Sequence, residues 1–92
     1  MANLHLVRTS GFQSDRLSLC LSLLNNDDRV LLLDDGVYNV NHPSLLTLSN
    51  TILYLDLHAS ARGINPAKLF KAVDYKSLIE ETEQAEKIIT WQ

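Results

Sequence analysis

The chain is poor in the residues that small domains use for staples, metals and redox work. It has a single cysteine, Cys20, among 92 residues, so no internal disulfide can form. Its three histidines, His5, His42 and His58, are scattered and match no zinc-ligand spacing, so neither a metal nor a cofactor is expected. The only glycines, Gly11, Gly36 and Gly63, lie far apart, which excludes a glycine-rich phosphate loop. No apolar run approaches the roughly 18 residues that a membrane span needs. The stretch Met1–His5 lacks the basic start and apolar core of a secretory signal. Excess basic charge is also missing. Eight Lys and Arg face eleven Asp and Glu, a formal net charge of −3, and the basic residues are spread along the chain. Direct binding to a nucleic-acid backbone therefore has no electrostatic footprint. A free cysteine without an export signal suits a reducing compartment, and a cytoplasmic location with no membrane partner is expected.

What the chain does have is alternation. Leu4–Val7 reads as a strand broken by Thr9, Ser10 and Gly11. Ser14 or Asp15 can cap a helix over Arg16–Leu24, stopped by the polar run Asn25–Asp28. Arg29–Leu33 is continuously apolar after its first residue, the mark of a strand buried on both faces, and Asp34-Asp35-Gly36 reads as the turn that ends it. Pro43–Ser49 suits a short helix with proline in its first turn. Thr51–Leu55 reads as a strand, Asp56–Arg62 as a helical turn closed by Gly63, and Phe70–Val73 as a short strand. Asp74 can cap the next helix, with Ser77 and Glu80 as a competing capping box. That helix shows a narrow apolar stripe of Leu78, Ile79, Thr82 and Ala85, and Glu80, Glu81, Glu83 and Glu86 read as its solvated face. Lys87–Trp91 is a terminal strand. Strands alternating with helices across short loops imply right-handed crossovers. The expected architecture is one α/β domain over residues 1–92, three layers (α/β/α) around a mainly parallel five-stranded sheet. Such a domain buries only about 60–65% of its unfolded surface, so a marginal core without a staple points toward partner subunits.

In parallel sheets chemistry collects at the carboxyl ends of the strands. Asp34, Asp35 and Asp56 stand there and offer a metal or phospho-ligand reading, against which Asp-Gly is a common turn pair. Cys20 is the one residue able to carry sulfur, provided its thiolate is accessible. Helical spacing argues otherwise: Leu17, Leu19, Leu21, Leu23 and Leu24 cover an arc of about 200° with Cys20 near its centre, where a cysteine acts as a small hydrophobe. That arc is wider than one sheet contact requires, so part of this helix is expected to face a second chain.

In order and spacing, these segments resemble the DsrH/TusB family of small sulfur-relay subunits. The likeness rests on Leu4-His5-Leu6-Val7 with Arg8-Thr9-Ser10, and on the block Val30–Tyr38 that ends its apolar strand in Asp-Gly. It continues in Leu53–Leu57 followed by Ala61-Arg62-Gly63, in Val73-Asp74-Tyr75, and in Thr90-Trp91. The resemblance implies a heterohexamer with two related small α/β sister subunits, of TusC/TusD or DsrF/DsrE type. That complex passes persulfide sulfur from an upstream donor protein to a downstream acceptor. In one branch the sulfur ends in 2-thiouridine at the tRNA wobble position; in the other the complex serves dissimilatory sulfur oxidation. The family's principal relay cysteine lies on a sister subunit, and Cys20 matches a cysteine of the sulfur-oxidiser type. Asp35, Gly36, Tyr38, Arg62, Gly63 and Trp91 are the expected strand-end and interface residues. A lone shielded cysteine cannot complete persulfide exchange within its own chain. An interface subunit without catalysis of its own is therefore the leading expectation. A Cys20 persulfide carrier and an acidic-pocket module are the alternatives.

Overall fold

The computed structural model describes residues 2–92; Met1, the first residue of the expected domain, lies outside the described residues. Five strands form one sheet: β1 (Leu4–Val7), β2 (Arg29–Leu32), β3 (Ile52–Leu55), β4 (Lys71–Val73) and β5 (Ile88–Trp91). The order is β4-β3-β2-β1-β5, and every pairing is parallel rather than mostly so. The helices are α1 (Arg16–Ser22), α2 (Pro43–Leu46), α3 (Asp56–Ala61) and α4 (Tyr75–Gln84). From β1 to β4 the chain steps in one direction across the sheet, then returns past β1 to place β5. Right-handed crossovers therefore put α4 on the face opposite α1 and α2.

The two faces have separate cores, as the strand period of two requires. Val7, Val30, Leu32, Ile52 and Tyr54 pack with Leu17 and Cys20 of α1 and Leu45 of α2. Leu4, Leu31, Leu53 and Leu55 pack with Val73 and, from α4, Leu78. Residues 30–32 and 52–55 are all buried, which explains why these strands read as unbroken apolar runs.

Differences from the sequence reading have local causes. The expected turn Asp34-Asp35-Gly36 is the start of an eight-residue 3₁₀ helix, Asp34–Asn41. Its Gly36 is pressed so close to the Val7 carbonyl that a Cβ there meets backbone. Helix α1 ends at Ser22, two residues early, because the Leu23 and Leu24 amides turn back to Cys20 and Leu21 at i−3. Asp74 caps α4 by accepting the Ser77 amide at 2.8 Å, so the competing capping box is not used. The acidic face of α4 is not wholly solvated: Glu81 is mostly buried and pairs with Arg29 at 3.1 Å. Ile79, assigned to the apolar stripe, is exposed instead.

One buried polar chain ties the sheet together. Asp28, just before β2, accepts the amides of Asn3 and Asn25, each at 3.1 Å. It also lies 3.0 Å from His5 Nε2 of β1. The Trp91 indole N–H of β5 donates to His5 Nδ1 at 3.1 Å. An indole N–H can only donate, so Nδ1 presents its lone pair, and the ring proton sits on Nε2, directed at Asp28. Burial opposes ionisation of Asp28, but the Asn25 and Asn3 amides and His5 outweigh it and hold the carboxyl below the ordinary range. The sign follows. With the folded pKa depressed, this group's stabilisation is present above the unfolded carboxylate value of about 3.9 and is lost as pH falls through the folded value. Asp28→Asn is expected to cost about 1–3 kcal/mol near neutral pH, because an amide cannot replace all three contacts. It is also expected to flatten the acid limb of the stability profile below about pH 4, measured by urea unfolding across pH. An unchanged acid limb would show that Asp28 does not govern it.

Candidate functional site

The carboxyl ends of the strands carry a polar layer built by the loop after β1, the 3₁₀ helix after β2 and α3. Asn39, fully buried, locks the first two: its side-chain carbonyl accepts the Gly11 amide at 2.6 Å, and its amide donates to the Thr9 carbonyl at 2.9 Å. The same two segments meet where Gly36 packs on the Val7 carbonyl. The lock presents Ser10, Phe12 and Gln13 opposite Asp35, Tyr38 and Asn41 around an open depression of about 580 Å³.

Asp34 begins the 3₁₀ helix with φ of +50°, a left-handed backbone that side chains other than glycine rarely adopt. Two contacts hold it and a third braces its arginine. Its amide donates to His58 Nδ1 at 2.8 Å, its carboxylate accepts from Arg8 Nε at 2.7 Å, and Arg8 is itself braced on Gln92 at 3.2 Å. Because the Asp34 amide can only donate, His58 Nδ1 is the acceptor and its Nε2–H faces the Tyr75 hydroxyl at 3.3 Å. Asp35 accepts from Arg62 Nε at 3.1 Å, and Arg62 also donates to the His58 carbonyl at 3.2 Å. The acidic pair thus forms two ion pairs bracketed by arginines, not a free acidic pocket. Among the described residues no three His, Cys, Asp or Glu side chains converge on a point where a metal ion would sit. Asp56 is exposed in the first turn of α3.

The sequence-based candidates fall into two groups. Asp35, Gly36, Tyr38 and Arg62 come together in this layer. Gly63, with φ of +66°, closes α3 and has open space around its Cα. Trp91 instead belongs to the buried His5 chain, part-buried at the β5 edge. Cys20 is away from the strand ends altogether. It is fully buried between α1 and the sheet, and burial, reinforced by the negative charge of Asp28, pushes its thiol up to about 12. Protonated and shielded, it presents neither the thiolate nor the access that persulfide exchange requires. Sequence reasoning missed Asn39, Arg8 and His58. Asn39 carries no local signal, since an asparagine in a polar turn reads as solvated. Arg8 and His58 stand at strand ends, and that position was the available clue.

Two outcomes follow from this geometry. Native Cys20 is expected to resist a thiol-specific alkylating reagent at pH 8 and to react fully in denaturant, as read by intact mass. Labelling of the folded chain at the denatured rate would show that the thiol is open. Gly36→Ala is expected to destabilise the fold by about 2–4 kcal/mol, since the added methyl meets backbone that cannot move aside. Thermal unfolding checks it, and a loss below about 0.5 kcal/mol, the range of neutral surface substitutions, would mean that the contact relaxes.

No curated protein matches the sequence. Among solved structures the chain is similar to the ychN protein of E. coli, with a TM-score of 0.69 and 19% identity over 99% of this chain and 100% of that one. At that identity the likeness shows a shared α/β fold. A family model described as DsrH like protein matches residues 9–88, which include the Asn39 lock, both arginine-bracketed aspartates and Cys20. With the match running through nearly all of these elements, the chain belongs to the DsrH-like family, small subunits of sulfur-relay complexes.

Proposed function

We propose that this chain is the structural subunit of a heterohexameric sulfur relay. In this reading the complex passes persulfide sulfur toward 2-thiolation of the tRNA wobble uridine, and the chain shapes and positions a cysteine on a sister subunit. The observation that carries this reading is the state of Cys20: the only sulfur nucleophile of the chain is buried and protonated. A relay that contains this chain then needs its working thiol elsewhere. The surface supports a partner role. Leu19 of α1 and Leu23, the residue that caps its end, are 41% and 63% exposed, although spacing places them on the same broad apolar arc as the buried Leu17 and Cys20. Phe12 and Tyr38 are exposed beside the Asn39 lock, on backbone that is already ordered and so loses little entropy on binding.

Co-expression with the two sister subunits is the direct test. A stable complex is expected to co-purify, and Leu19→Glu with Leu23→Glu is expected to weaken it at least tenfold; a chain that stays outside the complex defeats the reading. Deletion of the gene is expected to abolish wobble 2-thiouridine. Intact 2-thiouridine together with lost sulfur oxidation would move the chain to the other branch.

A further inference from the structure

We propose that the outer edge of β5 pairs antiparallel with β5 of a second copy of this chain. The starting point is which backbone groups β5 has already spent. Leu4 N–H donates to the Lys87 carbonyl and Arg8 N–H to the Trp91 carbonyl, each at 2.9 Å, in the register Leu4↔Ile88 and Val7↔Trp91. Residues 87, 89 and 91 therefore point their backbone groups at β1, and the alternation of a strand turns those of Ile88 and Thr90 outward. Among the described residues, neither Ile88 nor Thr90 finds a backbone partner on that side.

The two edges of the sheet are not equivalent. The β4 edge is three residues long and carries the exposed Lys71, two of the devices that discourage edge pairing. The β5 edge reads Ile88-Ile89-Thr90-Trp91, with no charge and no proline, and Ile88 is 47% exposed. It is also stiff, since Trp91 is fastened to the buried His5 and Gln92 to Arg8. An ordered, uncharged edge is a template for another strand.

The strand is complementary to itself. About a twofold axis at Ile89, Ile88 of one copy lies opposite Thr90 of the other, and each such pair exchanges both N–H···O=C bonds. All four outward N–H groups and all four outward carbonyls of the two strands are then satisfied. Charge permits the same register: Lys87, whose carbonyl is held by Leu4, falls opposite the Trp91 indole, a favourable cation–aromatic neighbour. No like charges face each other, although each copy carries a net −3. Among possible strands, a second copy fits this edge because the twofold register pairs Ile88 with Thr90 on both sides and brings no like charges together. The resulting sheet has ten strands and two blunted ends. This pairing stands independently of the sulfur-relay role.

The test is the mass of the full chain in solution by sedimentation equilibrium over a wide concentration range. The expected result is twice the mass of one chain, with Ile88 and Thr90 amides protected from exchange. Thr90→Pro removes only an outward N–H and leaves the β1 ladder intact, and Ile88→Lys places a gatekeeper charge on the edge. Both are expected to give monomers with unchanged circular dichroism. Should the proline variant fail to fold, the lysine variant decides. Ile89→Cys sits at the axis, in a non-hydrogen-bonded pair whose Cα spacing of about 4.5 Å admits a disulfide. It is expected to cross-link copies under mild oxidation. A monomeric wild type, a dimer that survives both edge variants without cross-linking, or protection of Ile88 and Thr90 only when sister subunits are added would each overturn the proposal.

Discussion

Asp28 is a carboxylate buried among the ends of three strands, and burying an unpaired charge of that kind costs several kcal/mol. The fold answers it with the amides of Asn3 and Asn25 and the Nε2–H of His5. His5 meets this demand only as one tautomer, and the tautomer is set by an indole at the far end of the chain, 86 residues away. The loop before β3 joins in, because Asn50 donates to the carbonyls of Asn25 and Asp28. Four segments distant in sequence thus share one electrostatic requirement. Loss of any partner leaves a buried donor or acceptor unpaired, which costs more than an average hydrogen bond contributes. For a 92-residue domain with no staple, this coupling substitutes for the cross-link that a single cysteine cannot provide.

The same charge decides what the chain cannot do. Cys20 lies in the α1 core within reach of the Asp28 field, so burial and like-sign repulsion act together against its thiolate. A cysteine that has to accept sulfur needs the opposite surroundings, electropositive and partly open. The carboxyl-end layer repeats the pattern in another form: Asp34 and Asp35 are each matched by an arginine, and each histidine nitrogen with a visible partner there is engaged in orienting backbone or Tyr75. These groups hold loops in place. The strained backbone of Asp34 is stabilised by them and fixes the direction in which the 3₁₀ helix leaves β2, and with it the exposure of Tyr38.

Much of the architecture was legible because period and burial coincide. The unbroken apolar runs at Val30–Leu33 and Ile52–Leu55 announced two-sided burial, and the helix between the first two strands placed Cys20 at the centre of its apolar arc. The parallel sheet and the family followed from those runs with the Asp-Gly and Ala-Arg-Gly turns. What stayed hidden was non-local. Nothing near Asn39 signals that it will bridge the loop after β1, and nothing near Glu81 signals Arg29 as its partner across the chain. The 3₁₀ helix was illegible for a related reason: Asp-Gly is good turn chemistry, and its continuation depends on Gly36 seating against Val7. His5 read as an ordinary histidine because its two partners lie 23 and 86 residues away.

The surfaces left free after this accounting fall in different places, and that separation matters for assembly. The β5 edge belongs to the end of the sheet, where unspent backbone groups demand a strand and side chains set only the register. The exposed leucines at the end of α1 and just after it and the Phe12–Tyr38 rim belong to one face and to the carboxyl ends, where recognition rests on shape and apolar area. A subunit that meets a copy of itself through the first and different neighbours through the second can stand on a twofold axis while still holding unlike partners. The buried His5 chain links the two regions, because the element that presents the free edge is anchored by the same network that orders the first strand, from which the loop to Phe12 departs. Loosening Trp91 would therefore disturb both surfaces at once, whereas a change at Ile88 would touch only the edge.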